Sequence, residues 1–156
     1  MKKHDLIVIG AGPGGYAAAV KAAQLGLDTA CIEKESRLGG TCLRVGCIPS
    51  KALLESSEKF AETKKELAVH GVKISGAELD LETMMARKDQ VVADLTENVR
   101  RLLEGNKIEI IHGTASVPAA GTVAVDTGQK KKTTLSAKYI LLATGSEPIE
   151  VKGLEF

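Results

Sequence analysis

The sequence predicts an α/β fold, a parallel sheet flanked by helices and interrupted by an antiparallel β excursion. Three observations carry this. An apolar run, Leu6-Ile7-Val8-Ile9, is followed by an alanine-rich helical stretch and a second apolar run, Thr29-Ala30-Cys31-Ile32. Short β-prone segments after Ile108 are punctuated by Pro118, Gly121 and Gly128. A last strong run, Tyr139-Ile140-Leu141-Leu142-Ala143, closes on Thr144-Gly145-Ser146. With 156 residues, 44% hydrophobic and 26% charged, the chain is long enough for one hydrophobic core and short for two ordinary domains.

The elements follow in order. Leu6–Ile9 is continuous and apolar, as a strand buried on both faces must be. From Gly14 to Leu25 the pattern is helical, and Gly26 stops it in the usual cap position. Thr29–Ile32 is the second strand, leading to Glu33, so strand, helix and strand form a βαβ unit with a right-handed crossover. After a glycine-rich segment, Pro49 and Ser50 precede a polar-faced helix from about Lys51 to Val69. Asp80 is placed to cap a helix from Leu81 to Leu103, with apolar positions such as Met84, Val91, Val92, Leu95 and Val99, ended by Gly105. Ile108–Ile111 is a strand, and Thr114–Val117, Thr122–Val125 and Thr133–Leu135 form the antiparallel excursion, joined by Pro118, Gly121 and Gly128. No internal repeat and no dividing linker stand out.

The formal net charge of +1 supplies no long-range field to gather nucleic acid or an anionic membrane. Lys130-Lys131-Lys132, set between Gly128-Gln129 and Thr133-Thr134, reads as a solvated hairpin tip. No apolar stretch approaches the ~20 residues that span a bilayer. The start, Met1-Lys2-Lys3-His4-Asp5, resembles the charged end of a signal peptide, but the apolar segment after it is broken by glycines and reads as strand and helix. A cytoplasmic location, or an organelle matrix, is therefore expected. Three cysteines are too few for a secreted disulfide scaffold, and in a reducing compartment a cysteine pair points to catalysis or metal.

Gly10-Ala11-Gly12-Pro13-Gly14-Gly15 matches G-x-G-x-x-G, a pattern that is weak alone and gains weight from its place between a buried strand and a helix, with Glu33 closing the next strand. Gly10 permits a tight turn, Gly12 lets the backbone approach a pyrophosphate, and Gly15 allows close helix–strand packing. The helix N-terminus offers N–H groups and positive dipole to phosphates, and Glu33 can accept from ribose hydroxyls. The loop indicates a dinucleotide without choosing between FAD and NAD. Cys42 and Cys47, five residues apart, are a second candidate site. Zinc needs four ligands, and the remaining candidates, Cys31, His4, His70 and His112, are scattered, so a metal site finds little support. Spacing alone leaves two inert thiols open.

The run Gly39-Gly40-Thr41-Cys42-Leu43-Arg44-Val45-Gly46-Cys47-Ile48-Pro49-Ser50-Lys51 resembles the redox-disulfide segment of the pyridine nucleotide–disulfide oxidoreductases. The resemblance extends from Asp5–Gly10 to Ala143-Thr144-Gly145-Ser146-Glu147-Pro148, and Ile48–Leu54 is closest to the dihydrolipoyl-oxidising branch. Arg44 stands where many members have Asn. The resemblance implies a Rossmann-like FAD-binding domain, with Gly10, Gly12, Pro13, Gly14 and Gly15 at the pyrophosphate and Glu33 and Lys34 at the adenosine ribose. It places Gly40, Thr41, Cys42 and Lys51 on the flavin side, Gly113 and Ala115 at the adenine end, and Thr144, Gly145 and Ser146 closing the site. Cys42 and Cys47 become a catalytic redox disulfide, Cys42 meeting substrate and Cys47 facing the flavin, with no metal.

It further implies NAD as co-substrate, dihydrolipoyl groups of 2-oxoacid dehydrogenase or glycine cleavage complexes as partners, and a homodimer at full length. Mercuric and glutathione-type reductases share this front end, and a non-catalytic flavin-binding or dithiol module is the alternative. Residues 1–156 are read as the N-terminal portion of an incomplete FAD-binding domain. The NAD-binding, central and C-terminal interface domains are expected to be missing, and the fragment is expected to be inactive alone.

Overall fold

The computed structural model describes residues 1–65, 67–128 and 132–153. The chain forms two compact units, where the sequence suggests no dividing point. Met1–Ser36 with Leu103–Phe156 make the first, and Arg37–Leu102, intervening in sequence, make the second.

The first unit is built on six strands, β1 (Lys2–Ile9), β2 (Thr29–Glu33), β3 (Glu109–His112), β4 (Thr114–Ala119), β5 (Thr122–Asp126) and β6 (Thr133–Leu142), in the order β3-β2-β1-β6-β5-β4. The pairs β3–β2, β2–β1 and β1–β6 are parallel; β6–β5 and β5–β4 are antiparallel. Helix α1 (Pro13–Gln24) makes the crossover from β1 to β2 and lies against both. Ile7, Ile9, Ala30 and Ile32 share the core with Val123, Val125, Leu135 and Ala137 of the meander. On the other face of these strands Val8 and Cys31 are equally buried, as are Ala19 and Ala22 of α1. Small alanines let the helix approach closely, and the Leu6–Ile9 half of β1, covered on both faces, is continuously apolar.

β3 and β4 stand at opposite ends of the strand order, yet only Gly113 separates them in the chain. The sheet therefore curls back, and β4 lies against β2. Apolar side chains of the parallel half and the meander are enclosed in that curl.

Three sequence expectations change here. The segments expected at Thr133–Leu135 and Tyr139–Ala143 are one strand, β6, because it pairs β5 through Thr133–Ser136 and β1 through Leu135–Leu142. Ladder pairing carries it across Ser136-Ala137-Lys138, where composition suggests a break; Lys138 reaches Asp5 at 3.5 Å. β1 starts at Lys2, so the charged start is strand. His4 is buried there, its ring nitrogens 3.3 Å from Asp28 Oδ2 and 3.0 Å from Glu109 Oε2, with Lys2 also on Glu109 at 2.8 Å. Pro118 lies inside β4 and not between strands. On an outer strand with a register shift between Ser116 and Ala119, its missing N–H is tolerated. Of the expected lysine tip, Gln129, Lys130 and Lys131 lie outside the described residues; Lys132 is exposed, 3.7 Å from Asp126.

The second unit is helical. A short helix, α2 (Gly40–Arg44), which the glycine-rich sequence does not suggest, precedes α3 (Cys47–Lys65) and a 3-10 turn at Leu67–His70. α3 begins at Cys47, four residues before the expected Lys51. Pro49 sits in its first turn, where a missing N–H breaks no helical bond. α4 (Leu81–Gly105) starts as expected: Asp80 accepts from the Thr83 N–H at 3.0 Å and from its hydroxyl at 2.6 Å. Val92, Thr96, Val99 and Leu103 are buried along one face. The helix ends at Gly105, as expected; the reversal falls two residues on, at Lys107, with φ of 60°, and the Ile108 N–H closes on Leu103 O at 3.0 Å. Arg87 donates to Ala52 O at 3.1 Å and pairs with Glu55 at 2.6 Å, tying α4 to α3.

Candidate functional site

In the first unit, parallel pairing brings the carboxyl ends of β1, β2 and β6 to one end of the sheet. The Gly10 N–H donates to Ile32 O at 2.7 Å and the Ala143 N–H to Ile9 O at 2.8 Å. The chain leaves β1 toward β2 on one side while β6 lies on the other, and ligands of open α/β sheets bind at such a reversal.

Two of the loop glycines are demanded by the protein itself. Gly10 has φ of 104°, and a Cβ there would stand 2.2 Å from Ala143 O. A Cβ on Gly15 would stand 1.8 Å from Gly10 O and 3.3 Å from Ala143 Cβ, so strand and helix meet only because neither residue has a side chain. Gly14 differs: a Cβ there meets nothing within 4 Å. It opens on space at the start of α1, beside exposed Pro13 at the helix's first turn. Gly12 is the N-cap in extended geometry without a side-chain cap, and no acidic residue occupies the first turn. An α-helix leaves its first N–H groups without intrahelical partners, so this end is fitted to an anion. The geometry suits a pyrophosphate.

Glu33 is buried at the end of β2. One carboxylate oxygen accepts from the Ala11 N–H at 2.9 Å and the other from the Glu35 N–H at 3.1 Å. The loop and the acid are thus joined directly, and the carboxylate keeps lone pairs for further donors. Lys34 points elsewhere: its Nζ is 2.9 Å from Glu147 Oε1, a pair that raises the lysine and lowers the glutamate. The Gly113 N–H donates to Glu33 O at 2.8 Å, which sets the β3–β4 corner beside the acid, and Ala115 is half-buried against the core. Thr144, Gly145 and Ser146 follow β6 in exposed coil next to Ala143. Ala11 and Glu147 were not singled out by sequence. Ala11 acts through its backbone, and Glu147 lies 113 positions from its partner, so no local pattern marks either.

In the second unit the corner between α2 and α3 brings Cys42 and Cys47 together. Both are free thiols, Cys42 half-buried and Cys47 exposed. Cys42 lies in α2 and Cys47 is the first residue of α3, while the Val45 and Gly46 N–H groups both close on Thr41 O, at 2.9 and 2.8 Å. A hydrogen bond to the Cys47 side chain pushes the Cys42 thiol up, and partial burial adds to this. The Cys47 backbone N–H and the Lys51 charge oppose it. Gly40, Thr41 and Lys51 belong to the same corner, Lys51 one turn along α3 from Cys47. Cys31 stands apart: burial in β2, with the Glu33 charge, pushes its thiol up to about 12, so it behaves as an inert core residue.

Similarity to known proteins runs over nearly the whole chain. The profile of the pyridine nucleotide-disulphide oxidoreductases matches residues 4–155. The mitochondrial dihydrolipoyl dehydrogenase of Pisum sativum is 47% identical over 152 residues, covering 97% of this chain and 30% of that protein. A leghemoglobin reductase of Vigna unguiculata is 49% identical, covering 97% of this chain and 29% of its own. Dihydrolipoyl dehydrogenase 3 of Pseudomonas putida is 46% identical over 155 residues, covering 99% and 33%. The chain thus spans about a third of the length of the curated relatives it matches. Among solved structures, the copper(II) complex of an HOCl-induced flavoprotein disulfide reductase from Escherichia coli superposes with a TM-score of 0.77 at 25% identity, over 97% of this chain and 30% of that one.

Proposed function

Because the chain belongs to the pyridine nucleotide-disulphide oxidoreductase family, we propose that it supplies the FAD-binding and dithiol part of a dihydrolipoyl dehydrogenase. The observation that carries this is the cysteine pair at the α2–α3 corner, in a chain whose βαβ loop is fitted to a dinucleotide pyrophosphate. Gly12, Pro13, Gly14 and Gly15 hold the pyrophosphate; Glu33 takes the ribose; Gly113 and Ala115 serve the adenine end, and Thr144, Gly145 and Ser146 close the site. Lys34, already engaged by Glu147, contributes at most its charge.

The thiol chemistry belongs to the chain's own residues. With Cys42 and Cys47 joined as a disulfide, one thiolate of a dihydrolipoyl group attacks Cys42 Sγ, forming a mixed disulfide and expelling the Cys47 thiolate. The second substrate thiol, once deprotonated, attacks the substrate sulfur of that mixed disulfide, releasing the Cys42 thiolate. Substrate leaves as the cyclic disulfide, two electrons poorer, and the protein holds two reduced sulfurs. FAD, when bound, supplies the acceptor for that electron pair and a route for it to NAD⁺. The Cys47 backbone N–H and the Lys51 charge favour thiolate on Cys42, against the Cys47 side chain and burial, which push that thiol up.

Within this reading residues 1–156 are the N-terminal portion of the FAD-binding domain. Lipoyl groups of 2-oxoacid dehydrogenase complexes are the partners, the longer protein is a dimer, and the compartment is the cytoplasm. Among the described residues no helix is long and apolar enough to cross a membrane.

The test is spectroscopic. The longer protein, loaded with FAD, is expected to retain flavin through gel filtration, and dihydrolipoamide is expected to bleach its flavin absorbance. Cys42→Ser and Cys47→Ser are each expected to abolish bleaching while retaining flavin. Bleaching at the parental rate in either variant would overturn the reading.

A further inference from the structure

Resting on the reading of Cys42 and Cys47 as the redox pair, we infer that Ser50 is a positioning residue that aims the Cys47 backbone N–H at the Cys42 sulfur. The Ser50 hydroxyl donates to Gly46 O at 2.7 Å, and the Ser50 N–H donates to the same oxygen at 3.1 Å. That carbonyl belongs to the peptide joining Gly46 to Cys47. Among the described residues no peptide is cis, so the N–H of this unit points opposite to its C=O. Drawing the oxygen down along α3 turns the N–H outward past the start of the helix, beside Cys42, whose Cα would lie 4.0 Å from a Cβ on Gly46 and whose thiol the Cys47 backbone lowers. The far side of the unit is fixed too, since the Gly46 N–H closes on Thr41 O at 2.8 Å.

The second donor also polarises the peptide, and a peptide whose oxygen accepts more is a better donor at nitrogen. Other hydroxyls on α3 bond backward, Ser57 to Leu54 O and Thr63 to Phe60 O, but those carbonyls lie inside the helix and far from the cysteines. Only at Ser50 does the accepting peptide carry a cysteine of the pair. Thiolate on Cys42 is the attacking group when the pair closes on a disulfide and the leaving group when substrate is released, so its stability bears on both directions of exchange.

The test measures alkylation of the reduced chain by iodoacetamide against pH, resolved at each cysteine by peptide mass spectrometry. Ser50→Ala is expected to slow Cys42 by about three- to tenfold on the rising limb of its profile, the range of one net hydrogen bond. It should move the Cys42 midpoint upward, and Ser50→Thr should restore it. Cys31, inert by burial, serves as the folding check, since its labelling would report unfolding. If Ser50→Ala does not fold, the comparison passes to Ser50→Thr against Ser50→Val, which have one shape and differ in the hydroxyl. A Cys42 profile independent of the hydroxyl overturns the inference. Diamide oxidation of the parent chain separates the two readings: failure to form a Cys42–Cys47 disulfide removes the redox reading itself, whereas an intact disulfide with unchanged Cys42 profiles removes only the role of Ser50.

Discussion

Gly14 and Gly15 are adjacent and chemically identical, yet the structure asks different things of them. A methyl group on Gly15 would collide with Gly10 O at 1.8 Å, so Gly15→Ala must push α1 off β1. The expected cost is about 3 kcal/mol or more, at the upper end for overpacking, read as a fall in the urea midpoint. A methyl group on Gly14 enters open space, and alanine favours a helix over glycine by about 1 kcal/mol. Gly14→Ala is therefore expected to keep or raise the melting temperature while weakening FAD binding, measured by flavin fluorescence. Unimpaired FAD binding in that variant would show that the space beside Gly14 is not where the cofactor sits. Sequence identified both glycines from one motif, because the motif reports the fold and the ligand together. The space around each Cα separates the two demands. Ser50 and Ala11 escaped that reading for a related reason. Ala11 acts through a backbone N–H, which leaves no residue pattern, and Ser50, though it stands in the quoted motif, acts on a backbone carbonyl that the motif does not show.

At the scale of elements, α4 carries a charge cluster with a defined acid response. Glu97 accepts from Arg100 Nε at 2.8 Å and from Arg101 Nε at 3.1 Å, and these hydrogen bonds, Arg100 first, hold its carboxyl down at about 2. A carboxylate depressed in the folded state contributes stability that is complete above its ordinary value of 4.5 and is lost as pH falls toward about 2. Helical ellipticity is expected to drop through that window more steeply in the parent than in Glu97→Gln, and added salt should flatten the difference because the cluster is exposed. Identical acid titrations would show the cluster to be ornamental. The caps and apolar periodicity of α1 and α4 were legible because both are local signals, Asp80 and Gly26 among them. α2 was not, since Gly39 and Gly40 look like loop and the turn forms with both in left-handed geometry. β6 was split in the sequence reading because Ser136 and Lys138 look like a break, whereas the pairing that unites it comes from β1, at the other end of the chain.

The whole molecule depends on that pairing. Lys2 lies opposite Leu135 and Ile9 opposite Leu142, so β1 is completed by residues that follow all the others of the first unit's core. A chain ending at residue 132 would keep β2 as a neighbour for β1 but lose Leu135 and Ala137 and the whole β1–β6 ladder. Such a chain is expected to lose amide-exchange protection at Ile7 and Val8 altogether; protection within tenfold of the parent would show that β2 and α1 suffice to hold the strand.

The same register has a meaning during synthesis. A ribosome makes β1 first and releases its second neighbour only after every intervening element has emerged, so Ile7 and Ile9 wait, uncovered, while the second unit passes. Parallel pairings of such separation are slow and leave unpaired edges exposed in the interim. The nascent chain thus presents a chaperone with an apolar segment until β6 has emerged. Slowing translation after β1 would lengthen that exposure, whereas slowing it after β6 has emerged would not.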